Sequence, residues 1–206
     1  GMVFSDSKGS YYIDPHSTDN KNYSVYSRES LHETSAFKCL TSNANPQGPS
    51  PKGNAAGRTN DKKLRKYRLA LSCNAEYGNI FAGTSGTDAQ KKANILAQMN
   101  ITMTRVNGIY ERDLAITMQL VPNNDLIIYF GSTTADPWSN EFNVKTQETI
   151  DARIGSANYD IGHNFNTTDG GNAGCIGCVC VSGSKGSAFT GRPNPTGDAF
   201  DIDYVA

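Results

Sequence analysis

Histidine is almost missing from this chain of 206 residues: His16, His32 and His163 are the only three, and they fall in separate segments. No His-Glu-x-x-His occurs, so no helical face carries two histidines four residues apart to grip a metal ion. No Gly-x-Ser-x-Gly elbow is present to raise a serine nucleophile, which together with the shortage of histidine argues against a Ser-His-Asp triad. The loop "GTSGT" (Gly83 to Thr87) lacks the Gly-Lys-Ser/Thr ending that cradles phosphates, so a P-loop is excluded. A formal net charge of -1 gives no global reason to expect nucleic acid as a partner. No apolar run approaches the roughly 20 residues of a helical membrane span, and no signal-peptide pattern opens the chain.

Five cysteines are present, an odd number in a chain too long for a small disulfide scaffold, so at least one thiol is free or pairs outside the chain. Cys175, Cys178 and Cys180 form C-x-x-C-x-C within "CIGCVCV". Read as a strand bracketed by glycine-rich loops, this run turns Cys178 and Cys180 one way and Cys175 the other, which cannot wrap three thiolates around one ion. Buried thiols, or a disulfide to a segment missing from this chain, are the expectation, with a cysteine-based metal-binding module as a third reading.

Residues 11 to 31 hold two short strand-like runs rich in Tyr and Val around a polar turn region, the pattern of a β-hairpin too small to fold alone. From about 35 to 60 the composition is Ser, Asn, Pro, Gly and Ala, that of a linker. These shifts divide the chain into a hairpin unit (1–35), a linker (36–62) and a main body (63–206). The basic cluster Lys62, Lys63, Arg65, Lys66 and Arg68 reads as the solvated start of a strand, because no recognition helix or aromatic platform accompanies it. Tyr67, Leu69, Leu71 and Cys73 then alternate with period two as a strand.

Thr87 with Gln90 makes a capping box. Ala89, Ala93, Leu96, Met99, Met103, Val106 and Tyr110 follow at spacings of three and four, predicting an amphipathic helix over about 88–112 whose Met and aromatic stripe is core. Ile116, Met118 and Leu120 alternate as a strand, "LIIYF" reads as a second strand or a continuation of it, a second helix is expected near 146–154, and Tyr159 to Phe165 alternate again. His163 on that last strand reads as a core residue. The grammar is that of a three-layer α/β sheet with parallel neighbours. At the C-terminus "GDAFDIDYVA" reads as an opening amphipathic helix, with Asp201 and Asp203 in a first turn where the macrodipole favours negative charge.

Taken together, "LALSCNAEYGNIF", "MTRVNGIYERDLAITMQLVPNNDLIIYF", "ANYDIGHNF" and above all "NPTGDAFDIDYVA" resemble the reprolysin-like branch of the metzincin zinc metalloproteases, over roughly Lys63 to Ala206. The resemblance implies a three-layer upper subdomain: a twisted, mostly parallel sheet, an antiparallel edge strand and two helices, preceded by the short hairpin. In that family the segment similar to "DYVA" leads directly into the His-Glu-x-x-His helix, so the zinc ligands and the general base are expected after Ala206. The full-length protein is then expected to use zinc, and this chain to hold none and to be catalytically inert.

The same resemblance makes the run from Gly174 to Val181 the edge strand that lines the cleft, with Gly174, Cys175, Ile176, Gly177, Cys178, Val179 and Cys180 as the substrate-binding candidates and a polypeptide as substrate, added by main-chain hydrogen bonds. The hairpin resembles the tail of a pro-region, which makes Cys39 a candidate latency switch whose thiolate would serve as an extra zinc ligand; the plainer alternative pairs Cys39 with Cys73. Secretion or a cell-surface location is implied, and a homodimer through an exposed apolar face or the edge strand is expected. The rival reading is a non-catalytic module that binds peptides or proteins along the same edge.

Overall fold

The computed structural model describes residues 2–5, 9–16, 21–30, 38–41 and 62–206. Three antiparallel strands come first, β1 (Met2–Ser5), β2 (Gly9–Pro15) and β3 (Tyr23–Ser27), in the order β1-β2-β3. The expected hairpin is therefore the second half of a small meander. Alternation divides its faces: Tyr12 is buried while Val25, one residue out of phase across the strand pair, is exposed.

In the main body, β4 (Arg65–Cys73) leads into α1 (Ala75–Phe81) and then α2 (Asp88–Leu114). The capping box holds: the Gln90 amide donates to Thr87 Oγ1 at 3.3 Å, and the Thr87 amide donates to Gln90 Oε1 at 2.8 Å. The helix stops at Ala115, whose φ of 53° is left-handed, a conformation usually left to glycine. β5 (Ile116–Leu120), α3 (Phe142–Arg153), β6 (Ile161–Asn166), β7 (Gly170–Asn172), β8 (Ala188–Gly191) and the single turn α4 (Gly197–Phe200) complete the fold. The five strands run β5-β4-β6-β8-β7, parallel throughout except for the antiparallel pairing of β7 with β8.

Successive residues of β4 feed opposite sides of the sheet. Leu69, Leu71 and Cys73 pack against Ile95, Met99, Met103 and Val106 of α2, whereas Ala70 packs with Ile150 and Ile154 at the α3 side. The result is the three-layer arrangement that the alternation of strand and helix predicts.

"LIIYF" departs from its expected strand. Asn124 to Ile127 form a 3-10 turn, and only Ile128 bridges β4, at Cys73. The cause is Asn124, whose buried amide replaces a strand neighbour: its Oδ1 accepts from the Leu71 amide and its Nδ2 donates to the Leu71 carbonyl, both at 2.8 Å. One side chain thus satisfies the backbone groups of β4 that a buried sheet position must pair.

The run from Gly174 to Val181 is likewise not a strand. Gly174, Gly177 and Cys180 have φ of 68°, 77° and 65°, and three left-handed residues in seven coil the chain into turns. The antiparallel edge strand lies just before it, at β7.

Candidate functional site

An apolar cleft of about 470 Å³ opens on the α2 side of the sheet. Leu69 and Leu71 of β4, Met118 of β5 and Phe165 of β6 form one wall, Met103 and Val106 of α2 another, and Tyr204 and Val205 stand at one end. At the opposite rim run Gly171 to Ala173, with Cys39 and Thr41 beside them. The cleft therefore joins the sheet edge to the C-terminal residues.

The edge itself is occupied. Cys39 forms a parallel bridge with Gly171; the Leu40 amide donates to the Gly171 carbonyl at 2.8 Å and the Gly171 amide donates to the Lys38 carbonyl at 3.2 Å. The Ala173 amide donates to Thr41 Oγ1 at 2.8 Å, extending the contact by one residue. Gly170 is needed here, since a Cβ at that position would lie 2.4 Å from the Lys38 oxygen. A stretch that composition assigns to a linker thus adds itself to the sheet as a peptide does in β-augmentation.

Cys39 is exposed and free, and Cys73 is buried and free, so the two do not pair. Burial pushes the Cys73 thiol up to about 12, leaving it protonated and inert, and its Sγ donates to the Tyr129 carbonyl at 3.7 Å. Cys175 pairs with Cys178 across 5.7 Å between their Cα atoms, a closure that a flat strand, with the two on opposite faces, would not permit and that the turns do. Cys180 remains exposed and free.

The candidate binding residues divide accordingly. Val179 lines the apolar cleft. Gly174, Cys175 and Ile176 line a second, polar pocket of about 300 Å³ with Leu40, Asn143 and Ser187. Gly177, Cys178 and Cys180 line neither. At Gly174 an added Cβ would lie 2.3 Å from Oγ of the chain's own Ser187.

His163 lies at the cleft wall, its Nε2 2.9 Å from Thr190 Oγ1 and its ring edge-on to Phe165. Burial pushes its imidazole down to about 4, so it is neutral near pH 7. His16 is exposed, with Nδ1 3.1 Å from Ser24 Oγ, and His32 lies outside the described residues. Among the described residues no three His, Cys, Asp or Glu side chains are grouped to hold a metal ion.

One polar cluster escaped the sequence reading. Arg105, 1% exposed on α2, donates from Nη1 to Asp201 Oδ2 at 3.0 Å and from Nη2 to the Asp14 carboxylate of β2. Thr102 Oγ1 donates to Asp201 Oδ1 at 2.7 Å. Asp201 begins a π-helical turn (Asp201–Val205) and is 1% exposed. Burial pushes its carboxyl up to about 6 against the opposing pull of the Thr102 hydroxyl and Arg105. The signal was present as an arginine within the apolar period of α2, between Met99 and Val106.

A mostly parallel sheet between helices, closed by one antiparallel edge strand beside an open cleft, defines the class as a metzincin-like α/β fold. A sequence model of metallopeptidase family M12B, reprolysin-like, matches residues 96–206, and the chain belongs to that family. No curated protein matches it. Members of the family are generally zinc-dependent and typically extracellular or membrane-associated; the described residues contain no helix long and apolar enough to cross a membrane. The described residues do not fit the zinc ion: His163 Nε2 is taken by Thr190, and among the described residues the free thiols of Cys39, Cys73 and Cys180 are not grouped with histidine or carboxylate into a set of three ligands.

Proposed function

We propose that these residues form the scaffold and the peptide-binding edge of a zinc-dependent endopeptidase that hydrolyses peptide bonds outside the cell, with the zinc ligands and general base supplied by residues other than these 206. The observation that carries this reading is the occupied edge. β7 presents backbone donors and acceptors beside an apolar cleft, and it already holds Lys38 to Leu40 by main-chain hydrogen bonds, with the Thr41 hydroxyl accepting from Ala173. A polypeptide substrate is the ligand that this edge suits, because such pairing needs only a backbone and leaves side-chain selection to neighbouring pockets. Cys39, exposed at the cleft rim, is the residue we assign to latency, with Lys38 to Thr41 holding the edge that substrate needs.

A zinc-supplemented assay on the 206 residues is expected to give no peptide turnover, and turnover would refute the assignment of the catalytic groups elsewhere. The coding DNA past Ala206 is expected to continue into His-Glu-x-x-His. A protein so extended is expected to become more active when Cys39 is replaced by Ser; unchanged latency would remove Cys39 from that role. A stop codon would instead favour the second reading, a non-catalytic module that binds peptides or a second copy of itself along β7, which the same occupied edge supports.

A further inference from the structure

We propose that Arg105 is a socket for an acidic, aromatic strand pair, filled here by β2 and β3 of the same chain, and that residues 2–30 stay bound to residues 62–206 through it after the connecting chain is cut. This concerns binding alone and holds whether or not the protein is a peptidase.

One face of the N-terminal sheet does the docking. Tyr12 and Tyr26 are cross-strand partners with ring centroids 5.6 Å apart, and the Arg105 guanidinium lies 5.2 Å from the centre of the Tyr12 ring, within cation–π range. Asp14, two residues along the same face, accepts from Arg105 Nη2 and from the Tyr26 hydroxyl, the latter at 2.5 Å. Tyr26 also accepts weakly from Nη2 at 3.4 Å. On the opposite face of the same strands Tyr23 is 56% and Val25 64% exposed.

Among the described residues the main body supplies a carboxylate to one side of this guanidinium. Asp201, steadied by Thr102, takes Nη1; the carboxylate on Nη2 is that of Asp14 from β2, and Nε has no hydrogen-bond partner. With β2 and β3 removed, Nη2 loses its carboxylate and the guanidinium its aromatic cover, so the body on its own presents a site that calls for a carboxylate flanked by an aromatic ring. That is the chemistry of β2 and β3, and it explains an arginine placed within an otherwise apolar helix stripe.

The test begins with the full chain, carrying a site-specific protease sequence inserted between Glu33 and Thr34, folded and then cut. The two pieces are expected to co-elute on gel filtration. Asp14→Asn, which leaves the Arg105–Asp201 pair in place, is expected to speed release of the N-terminal piece roughly ten- to hundredfold, the loss of one charge-assisted bond. Arg105→Lys is expected to weaken it as well, because an ammonium cannot fork between two carboxylates, whereas Val25→Asp on the far face is expected to leave release unchanged. Separation of the unmutated pieces, equal release rates for Asp14→Asn and the parent, or an equal effect of Val25→Asp would each overturn the socket.

Discussion

Replacing His163 with Gln is expected to change how stability depends on pH, with a sign fixed by the direction of its titration. The imidazole ordinarily titrates at 6.5 and is pushed by burial down to about 4 in the folded protein. Between those values the unfolded chain binds the proton and the folded chain does not, so stability is whole above about pH 6.5 and is lost as pH falls toward 4. The gap corresponds to at most about 3 kcal/mol, less where cleft water reaches the half-buried ring. Asp201 titrates in the same window with the opposite sign: its carboxyl, raised to about 6, makes the folded state bind protons that the unfolded chain releases, so its contribution falls as pH rises from about 4 to 6. The two slopes oppose each other, and the parent protein's curve alone does not separate them. Urea denaturation of parent and His163→Gln at matched pH removes Asp201 from the difference, because it is common to both. Gln keeps an amide within reach of Thr190 Oγ1 and does not titrate. The difference is expected to shift against the parent by about 2–3 kcal/mol between about pH 7 and pH 4; a difference independent of pH would refute the claim that this histidine is held neutral.

Asn124→Ala is expected to cost about 2–4 kcal/mol, because it strips partners from both the amide and the carbonyl of buried Leu71; denaturant melts measure this, and a loss under about 1 kcal/mol would mean that water replaces the side chain. Ala115→Gly is expected to stabilise by about 1 kcal/mol by relieving a left-handed alanine at the end of α2, read as a higher urea midpoint at constant slope. Gly78→Ala runs the other way despite alanine's better helix propensity. Its Cβ would fall 2.0 Å from the Tyr129 carbonyl oxygen, so a net loss of about 1–3 kcal/mol is expected, and stabilisation would show that α1 shifts freely on the Tyr129–Phe130 segment.

Long periodic elements were legible in the sequence because local chemistry decides them. The Thr87–Gln90 box and the three-and-four spacing down to Tyr110 define α2 almost to its end, and the alternation of Leu69, Leu71 and Cys73 marks β4 with its core face. Parallel order followed from the helices between strands. "LIIYF" misled because apolar composition does not distinguish a strand from a segment held beside one, and the deciding contact, Asn124 to Leu71, spans 53 positions. The Cys-rich run misled for a local reason: an apolar stretch between glycine-rich loops suggests a strand, but the left-handed φ of Gly174 and Gly177 forbids extension.

The edge strand shows the limit most sharply. "GGN" at Gly170 to Asn172 has no side-chain pattern by which a strand is recognised, since two of its three residues carry no Cβ. Those absences are its function in the fold: Gly170 leaves room for the Lys38 carbonyl, and Gly171 exchanges both backbone hydrogen bonds with the stretch from Lys38 to Leu40. Edge recognition runs through the backbone, which every residue shares, so the sequence could point to a sheet with an open edge without saying which residues form it or what lies against it. Arg105 is the complementary case. A charged residue in an apolar helix period is visible from sequence as an anomaly, but its partners Asp14 and Asp201 lie 91 and 96 positions away on opposite sides, and only the fold brings the start and the end of the chain to the same guanidinium.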